Sequence, residues 1–400
     1  MLKTLSDFSK FPVVTKQELR ETQSEFPPFG GHLCIESNDV FHIHGTSGTT
    51  GTPTLFGIGK DDWSRIANAH ARIMWGAGIR PNDTILIGSP FSLYLGSWGV
   101  LLGAERLGTQ TLPFGAGLTG QTAVLVNLMS RIKPTCFYGT PSYAMRIAEV
   151  AAKEGLDLRR DFHFRIMFFS GEPGAGILGT KKKIESIFGA KVVDMGSTAE
   201  MTPWMTNSEC SETTGMHLWQ DIVYTEVCDP QNFLPVPYGA EGTPIYTHLE
   251  RTSQPMIRFL SGDLTRWDDS PCPCGRTYPR LPDGIYGRID NMLIIRGHNV
   301  YPHVVEDTLR QTAGTGEEFR IIIDRSGTMD EVVIQVECSP EASSNEARHA
   351  VHQKVLEKLS QVMGVRPIVH IVDHGTLERT EFKSKRVLDN RDLYQAHLQK

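Results

Sequence analysis

Residues 135–173 read TCFYGTPSYAMRIAEVAAKEGLDLRRDFHFRIMFFSGEP, and this stretch decides the predicted fold. It begins with a short apolar run, TCFYG, which is typical of a buried strand. Thr140 and Pro141 then favour the start of a helix, because they place a hydroxyl at the N-cap and proline at the first helical position. A second apolar run, FRIMFF, follows the helix. A strand, a helix and a further strand of this kind predict a parallel sheet that is covered by helices.

The same alternation continues in both directions along the chain. Towards the N-terminus we expect helices at about 61–75, 97–107 and 121–132, which the strand-like runs TILIG and TQTLPF separate. Towards the C-terminus a lysine-rich helix at about 176–188 precedes the run KVVDMG. The chain is therefore predicted to have an α/β fold, in which a large domain has mainly parallel sheets with flanking helices.

The pattern changes after residue 274. Residues 287–302, GRIDNMLIIRGHNVYP, are typical of a glycine-punctuated hairpin or an extended segment. Beyond them come helix candidates at about 303–311 and 345–363 and the β-rich runs FRIIIDR, EVVIQVEC and PIVHIV. This mixture predicts a small α+β C-terminal domain. We place the boundary so that residues 1–287 form the large domain and residues 288–400 the small one.

The composition is that of a folded globular protein with two domains. The 400 residues are 40% hydrophobic and 22% charged, with a formal net charge of −6 and a mean hydropathy of −0.24. A mildly acidic chain without a long stripe of lysine and arginine argues against a nucleic-acid partner. No apolar run is long enough for a membrane span, and the N-terminus lacks the pattern of a signal peptide, so we expect a cytoplasmic location. The seven cysteines are irregularly spaced, and disulfides are not expected in that compartment.

Small and polar loops follow the predicted strands. They are GSP at 88–90, GTP at 139–141, SGEP at 170–173 and GSTAE at 196–200. In open α/β sheets, ligands bind in the crevice outside the carboxyl ends of the strands. We therefore expect these four loops, which carry hydroxyls and carboxylates, to line one ligand-binding crevice.

The strongest local motif is HGTSGTTGTP at residues 44–53. Its glycines allow successive backbone N–H groups to point the same way, and such a nest binds anions, with hydroxyls as further donors. It is not a Walker loop, because no lysine follows Gly51, and it does not contain the spacing G-x-G-x-x-G. An apolar run, 40–43, precedes the motif and the strand-like TPTLFGI follows it. The motif is therefore interpreted as a phosphate loop between two strands.

At this point the sequence resembles a known family. TSGTTGTP resembles the phosphate loop of the adenylate-forming superfamily of acyl-CoA synthetases, adenylation domains and luciferases. More specifically, the chain resembles the phenylacetate-CoA ligase branch, whose blocks occur in order over nearly the whole chain: FPVVTKQELR, TSGTTGTPT, GAERLG, FYGTPSYA, SGEPG, MGSTAE, SGDLTRW, CPCGRTYPRL, GRIDNMLIIRGHNVYP and RTEFKSKRVLDNR.

The resemblance implies an ATP-dependent acid–thiol ligase. Such an enzyme activates a carboxylic acid as acyl-AMP, releases pyrophosphate and passes the acyl group to coenzyme A, with ATP and Mg²⁺ required for the first step. The branch favours aromatic acids, and a homodimer is the family expectation. Chemically, the protein must hold two anions together and stabilise charge on the α-phosphorus and on the leaving group.

The resemblance also assigns residues of the large domain, which binds ATP and the acid. The phosphates would contact Thr46, Ser47, Gly48, Thr49, Thr50 and Gly51. Glu200 would bind Mg²⁺, since this hard cation prefers carboxylate oxygens, and Thr198 beside Ser197 would lie near the α-phosphate. Asp263 would accept from the ribose hydroxyls, and Arg288 would add a second contact to the ribose or to a phosphate. Gly171, Glu172 and Pro173 would lie against the adenine.

The catalytic lysine of the family matches Lys383, in the block RTEFK of the small domain. An ammonium group there would stabilise the charge that develops at the α-phosphate. The family has glycine where this chain has Phe382, and Lys385 competes for the same role. Asp290 matches the hinge about which the small domain rotates between adenylation and thioester formation.

Four further residues suggest a metal centre. Cys272 and Cys274 form a C-x-C pair, and the phenylacetate-ligase branch often carries a Cys and a His after its magnesium block, where this chain has Cys210 and His217. Three cysteines and one histidine would make a closed tetrahedral zinc site. The alternative is that these cysteines are ordinary buried or reactive thiols.

The acid pocket is predicted along the segment FSLYLGSW, from Phe91 to Trp98, with Tyr138 and Gly196. An aromatic slot with few charges suits a flat ring, so an aromatic acid is expected. Two other functions stay open. The acceptor could be a carrier-protein phosphopantetheine or a protein cysteine, or the chain could be a degenerate nucleotide- or acyl-binding module, which the replacement at Phe382 favours.

Overall fold

The computed structural model describes residues 5–46, 52–116, 120–172, 174–196, 198–201, 207–289, 293–296, 298–325, 329–379 and 386–391. The helices within these ranges are Leu5–Phe8 (α1), Lys16–Glu25 (α2), Lys60–Ala77 (α3), Leu95–Leu107 (α4), Gln121–Ile132 (α5), Pro141–Lys153 (α6), Leu178–Phe188 (α7), Pro302–Arg310 (α8) and Asn345–Met363 (α9). Short 3₁₀ turns occupy Ser37–Asp39 and Pro340–Ala342.

The strands up to residue 248 are Val40–Gly45 (β1), Leu55–Gly59 (β2), Thr84–Ile87 (β3), Gln110–Leu112 (β4), Cys136–Gly139 (β5), Ile166–Phe169 (β6), Lys191–Gly196 (β7), Asn207–Glu209 (β8), Met216–Leu218 (β9), Val223–Cys228 (β10) and Glu241–His248 (β11). Those after residue 248 are Phe259–Leu260 (β12), Asp263–Arg266 (β13), Arg280–Leu281 (β14), Gly287–Arg288 (β15), Leu293–Ile295 (β16), His298–Val300 (β17), Thr315–Asp324 (β18), Glu331–Cys338 (β19), Ile368–Val372 (β20) and Val387–Asp389 (β21).

The largest sheet has the strand order β14-β9-β8-β7-β6-β5-β3-β4. Neighbours from β7 to β4 run parallel, whereas β8, β9 and β14 are added antiparallel at one side. The strand–helix–strand unit that decided the predicted fold is confirmed as β5, α6 and β6. As expected, the Thr140 hydroxyl caps α6 by accepting a hydrogen bond of 3.2 Å from the Tyr143 amide.

Helices cover both faces of the parallel strands, which is why these strands are apolar without interruption. Ile85 and Ile87 of β3 point into a core that α3 and α4 close, while Leu86 between them points into a second core under α5, α6 and α7. In β5, Tyr138 lies in the first of these cores and Phe137 in the second. The doubly covered sheet therefore follows from the alternation of side chains along each strand.

A second sheet of the large domain is antiparallel. Its strand order is β10-β11-β13-β15, and β12 pairs with β11. Strands β1 and β2 form a separate antiparallel pair, as the interpretation of a loop between two strands requires. The sequence did not separate these antiparallel strands from the parallel ones, because several of them are only two to four residues long.

The small domain has the α+β character that the sequence predicts. Its sheet has the order β20-β19-β18-β21, with β18 and β19 antiparallel and the two outer pairs parallel. Helices α8 and α9 pack on it around a separate apolar core that includes Ile321, Ile334 and Leu359. The predicted hairpin at 287–302 corresponds to β16 and β17. The boundary at residue 287 stays a prediction.

Among the described residues, no helix combines the length and the apolar character that crossing a membrane would require.

Candidate active site and metal centre

The four polar loops lie at one edge of the large sheet. Strands β3, β5, β6 and β7 are consecutive parallel neighbours, so their carboxyl ends point the same way. The loops that begin at Gly88, Gly139, Ser170 and Gly196 follow these ends directly. The tertiary structure thus builds one rim from segments that are more than a hundred residues apart.

The base of the glycine-rich segment is closed by the pairing of β1 with β2. The amide of Thr46 donates to the Thr54 carbonyl at 3.0 Å, and the Thr54 amide donates to the Thr46 hydroxyl at 3.0 Å. Thr46 is therefore held where the segment begins. The predicted phosphate-binding residues Ser47, Gly48, Thr49, Thr50 and Gly51 lie outside the described residues.

Asp263, predicted at the ribose, and Arg288, predicted at the ribose or a phosphate, lie opposite each other. Asp263 starts β13 and Arg288 ends β15, where the two strands pair. An Arg288 guanidinium nitrogen donates to Asp263 Oδ1 at 3.1 Å. This carboxylate is held by an arginine and keeps further lone pairs with which it can accept hydrogen bonds from hydroxyls.

The predicted adenine contacts lie nearby. Gly171 has φ +95°, a backbone conformation that favours glycine, and Glu172 Oε1 accepts a hydrogen bond of 2.8 Å from the Ser142 amide. Glu172 and Arg288 line one cavity of about 200 Å³, together with side chains of the small domain such as His303. Pro173 and Ser197 lie outside the described residues.

Glu200, the predicted magnesium ligand, is buried and held from several sides. Its carboxylate forms an ion pair with Lys16, with 2.9 Å between Nζ and Oε1. The Arg251 guanidinium lies 3.5 Å from the Glu200 carbonyl, and His248 Nε2 contacts the Met201 carbonyl at 3.1 Å. Thr198 accepts a hydrogen bond of 3.4 Å from the Met201 amide. Lys16 thus contacts the carboxylate itself, and the other contacts hold the backbone at residues 200 and 201.

Lys16 is a residue whose role sequence reasoning missed. It is the first residue of α2, after a capping box in which the Thr15 hydroxyl accepts from the Glu18 amide and the Glu18 carboxylate accepts from the Thr15 amide. The block FPVVTKQELR was noted as part of the resemblance. Its only local signal, a capping box, indicates a helix start and not a site.

The predicted acid pocket is more polar than its sequence indicates. Phe91 and Trp98 form an edge-to-face pair with ring centroids 5.2 Å apart. The hydroxyls of Tyr94, Tyr138 and Ser170 form a triangle with sides of 3.1, 3.1 and 2.6 Å. Burial raises the pKa of Tyr138 well above its usual value, so this hydroxyl stays protonated.

Close approach of the two tyrosines explains a glycine in this wall. A Cβ at position 96 would lie 2.4 Å from the Tyr94 hydroxyl and 2.6 Å from the Tyr138 hydroxyl. Gly196, the remaining predicted wall residue, ends β7, where a Cβ would lie 3.0 Å from the Asn207 amide nitrogen. Both positions therefore favour a residue without a side chain.

A buried histidine contacts the same wall segment. His44 Nδ1 lies 3.3 Å from the Leu93 carbonyl, and its ring centroid lies 6.2 Å from that of Trp98. Burial lowers the pKa of His44 to about 4, so the ring is neutral and Nδ1 donates to the carbonyl. Nε2 is then an acceptor, and it has no hydrogen-bond partner within the described residues. The sequence placed His44 at the start of the glycine-rich motif but predicted no separate role for its side chain.

The candidate metal ligands converge as a group. The ligand atoms of Cys210, His217, Cys272 and Cys274 all lie within 4.8 Å of one another. Cys210 Sγ is 3.8 Å from Cys272 Sγ, and Cys274 Sγ is 3.4 Å from His217 Nε2. Tetrahedral coordination at Zn–S of about 2.3 Å and Zn–N of about 2.0 Å gives S···S of about 3.8 Å and S···N of about 3.5 Å. The four residues therefore have the spacing of a zinc site.

The chemistry of these side chains agrees with that spacing. Burial, with the nearby Arg276 and Arg280, lowers the pKa of His217 to about 4, so the imidazole is neutral as a metal ligand must be. Cys210 follows β8, His217 lies in β9, and the two remaining cysteines precede β14. A metal would join loops that only the fold brings together.

The remaining predicted residues cannot be placed. Lys383, its competitor Lys385 and the hinge residue Asp290 lie outside the described residues. Arg379 and Arg386, on either side of the lysine segment, are described, and both contact the large domain.

Two family models match the chain. The model described as AMP-binding enzyme matches residues 3–247, and the model described as AMP-binding enzyme C-terminal domain matches residues 297–391. Among curated proteins, the phenylacetate-coenzyme A ligase of Thermus thermophilus is 32% identical over 403 residues, which are 97% of this chain and 88% of that protein.

Solved structures of a 2-hydroxyisobutyryl-CoA ligase are 52% identical to this chain. Its postadenylation state in complex with 2-HIB-AMP superimposes with a TM-score of 0.94 over 99% of this chain and 84% of that chain. Its thioesterification state, in complex with 2-HIB-AMP and CoA, gives a TM-score of 0.72 over 100% of this chain and 85% of that chain.

Proposed function

The chain belongs to the family of AMP-binding enzymes, as a relative of the phenylacetate-coenzyme A ligases, and we propose that the acid it activates is a small 2-hydroxy acid. Family membership makes it an ATP-dependent acid–coenzyme A ligase. A carboxylate attacks the α-phosphorus of ATP to form acyl-AMP and pyrophosphate. Coenzyme A then takes the acyl group as a thioester and releases AMP, and Mg²⁺ accompanies ATP.

The observation that carries the choice of acid is the hydroxyl triangle of Tyr94, Tyr138 and Ser170. A wall with protonated hydroxyls can donate to, and accept from, a hydroxyl on the acid, whereas a benzene ring offers no such partner. His44 Nε2, an acceptor without a partner in the part of the chain that the structure describes, adds to this polar character. The relative that is 52% identical is a 2-hydroxyisobutyryl-CoA ligase, which supports the same class of acid.

An aromatic acid is the second candidate. The edge-to-face pair of Phe91 and Trp98 provides apolar surface on which a ring could pack. The phenylacetate-coenzyme A ligases, at 32% identity, support it from sequence. Aliphatic and aromatic acids would use the same rim of the sheet, so a panel of acids separates the two candidates.

We assign the first half-reaction to the residues of this rim. Glu200 would bind Mg²⁺ on the leaving pyrophosphate, and Thr198 would contact the α-phosphate. Asp263 and Arg288 would hold the ribose, since a carboxylate accepts from two hydroxyls, and Glu172 would lie against the adenine. Lys383 would stabilise the charge that develops on the α-phosphate. The paired geometry of Asp263 with Arg288 and the cavity beside Glu172 support this assignment.

The second half-reaction would require the small domain, residues 288–400, to rotate about Asp290. The chain superimposes better on the postadenylation state of the hydroxyisobutyryl-CoA ligase than on its thioesterification state, with TM-scores of 0.94 and 0.72. That difference supports two arrangements of the same two domains. A homodimer stays a prediction of the resemblance.

We also propose that Cys210, His217, Cys272 and Cys274 hold a structural zinc ion. All four positions would be protein ligands, which leaves no open site for chemistry. The ion would link the segment after β8 to the segment before β14. The match of the sulfur and nitrogen separations to tetrahedral coordination supports this role.

The test of the acid is pyrophosphate release with ATP and Mg²⁺ over four acids: 2-hydroxyisobutyrate, isobutyrate, phenylacetate and benzoate. We expect turnover with the hydroxy acid, and sustained turnover only when coenzyme A is present. A preference for phenylacetate or benzoate would replace the proposal by the aromatic candidate. Turnover with an acid that does not depend on coenzyme A would indicate a carrier-protein acceptor. The absence of pyrophosphate release with every acid would indicate a degenerate binding module.

A matched pair of variants tests the triangle itself. Tyr138→Phe removes one hydroxyl and keeps the ring, so kcat/KM for the hydroxy acid should fall by about tenfold to a hundredfold while that for isobutyrate changes little. Tyr143→Phe removes a buried hydroxyl that lies 3.5 Å from the Thr122 hydroxyl, outside the triangle, and serves as the control. Equal losses for both acids in Tyr138→Phe would contradict the assignment.

A further inference from the structure

One face of helix α6 contacts the small domain at two points. Ser142 and Glu149 are seven residues apart, so they lie on the same face of the helix and are separated by two turns, about 10 Å. Each of them contacts an arginine of the small domain: Glu149 contacts Arg379, and Ser142 contacts Arg386. In the sequence these arginines stand immediately before and after residues 380–385, the segment that contains Lys383.

Arg379 bridges the two domains. Its Nε lies 2.8 and 3.1 Å from the two carboxylate oxygens of Glu149. Its other two nitrogens each lie 2.7 Å from an oxygen of Glu337, in β19 of the small domain. The Glu337 side chain is fully buried, and those of Arg379 and Glu149 are each 15% exposed. This pair between the domains is therefore shielded from water.

The carboxylates of Glu337 and Glu149 interact with Arg379 from different domains. Glu337 belongs to the same domain as Arg379, so it holds the guanidinium whichever way the domain is turned. Burial disfavours the charged guanidinium, but its hydrogen bonds to Glu337 and the charge of Glu149 outweigh that effect and raise the pKa of Arg379. Only the contact with Glu149 depends on where the small domain lies.

Arg386 repeats this arrangement at the other side of the segment. Within the small domain its guanidinium pairs with Glu306 at 2.6 Å and lies 4.7 Å from the centre of the Phe319 ring. Towards the large domain it reaches the Ser142 hydroxyl at 3.4 Å. The amide of the same Ser142 holds the carboxylate of Glu172, which we place at the adenine. Helix α6 thus connects the nucleotide cavity to both arginines.

We propose that Glu149, through Arg379, is a positioning residue that docks the small domain for the first half-reaction, with Ser142 and Arg386 as the second point of contact. The inference rests on the proposed function, since it assigns the docked arrangement to adenylation. Glu149 touches no reacting atom in this account. It acts through an ion pair that must break when the small domain turns for thioester formation.

Loss of the Glu149 charge should affect the two half-reactions unequally. Removal of the Glu149 charge leaves Arg379 paired with Glu337, so the small domain keeps its own interactions. Two ion pairs are lost: the shielded one between the domains, and that of Glu149 with Arg146 of the same helix, at 3.3 Å. Only the first depends on the position of the small domain, and a shielded pair contributes more than an exposed one because it is less screened. The equilibrium between the two arrangements should therefore shift away from the docked one.

Glu149→Gln is the variant that tests this inference, with Glu154→Gln as the matched control. Glu154 caps the same helix at its C-terminal end and is exposed to solvent. Acid-dependent exchange of pyrophosphate into ATP measures adenylation, and a single turnover of separately prepared acyl-AMP with coenzyme A measures thioester formation. In Glu149→Gln we expect exchange to fall by about tenfold and transfer to change by less than about twofold. The control should match the wild type in both.

A second measurement does not depend on enzymatic activity. Small-angle X-ray scattering of the nucleotide-free protein reports the arrangement of the two domains, and Glu149→Gln should shift the curve away from that of the docked structure while Glu154→Gln does not. Equal losses in both half-reactions, or unchanged exchange with unchanged scattering, would overturn the inference. If the wild type shows no exchange with any acid, the proposed function fails, and the scattering still decides whether Glu149 docks the domain.

Discussion

The side-chain nitrogen of Lys16 lies 2.9 Å from Oε1 of Glu200, which joins the first residue of helix α2 to the acid that we assign to magnesium. The Glu200 side chain is 4% exposed and that of Lys16 is 39% exposed. A buried carboxylate needs a compensating charge. In the absence of a cation, Lys16 supplies it.

The first prediction concerns the stability of this pair. In metal-free buffer, Lys16→Met should lower the free energy of unfolding by about 1–3 kcal/mol, because it leaves a buried carboxylate without its cation. Glu200→Gln removes the charge itself, so the double variant should lose less than the sum of the two single variants. Urea unfolding of the four proteins measures this coupling. Additive losses, within about 0.5 kcal/mol, would show that the contact does not stabilise the fold.

The second prediction concerns magnesium. Glu200→Gln should slow acid-dependent pyrophosphate exchange by about a hundredfold or more at fixed Mg²⁺, since an amide is a poorer ligand for a hard cation than a carboxylate. Higher Mg²⁺ should restore part of the rate. Glu250→Gln, at an exposed position, is the control. Full activity of Glu200→Gln with an unchanged Mg²⁺ requirement would show that Glu200 is not a magnesium ligand.

The third prediction concerns the metal centre. Protein purified without chelators should contain about one zinc ion per chain, and Cys272→Ser should lose it together with several degrees of Tm, because a structural zinc joins two loops. Cys34→Ser changes an exposed cysteine outside the cluster and should retain the metal. Elemental analysis measures the content. If the wild-type protein lacks zinc and its Tm does not change when zinc is added, these four residues are not a metal site.

The fourth prediction concerns pH. His70 is fully buried between α3 and α4, and burial lowers its pKa to about 4, although a hydrogen bond to the Ile66 carbonyl partly opposes the shift. The folded pKa is below the unfolded value of about 6.5, so between these values the unfolded state binds more protons. Stability that is present above pH 6.5 is therefore lost as the pH falls towards 4.

From pH 6.5 to pH 5 this group alone should remove about 2 kcal/mol from the free energy of unfolding. His70→Asn should flatten the pH dependence by that amount, whatever it does to the stability at pH 7. His349→Asn, at an exposed position of α9, should leave the slope as it is. Parallel pH profiles for His70→Asn and the wild type would mean that His70 is not held neutral in the fold.

Much of the fold could be predicted from local patterns. The helix at 121–132 was predicted at the bounds that α5 has, and the Thr140–Pro141 start of α6 was read correctly, because capping and apolar periodicity act within a few residues. The antiparallel strands β12, β14 and β15 were not separated, because two residues carry no periodicity. Their pairing is set by partners far along the chain.

The candidate site also combines features that the sequence predicts with features that only the structure shows. The amino-acid sequence by itself determined the α/β class, the family resemblance and the residue types of the phosphate loop and the zinc candidates, since each depends on a short motif. Only the tertiary structure decided that Lys16 meets Glu200, that the Tyr138 and Ser170 hydroxyls meet, and that Glu149 meets Arg379. The physical reason is that ion pairs and hydrogen bonds act over about 3 Å in space, and no pattern along the chain records which distant segments come that close.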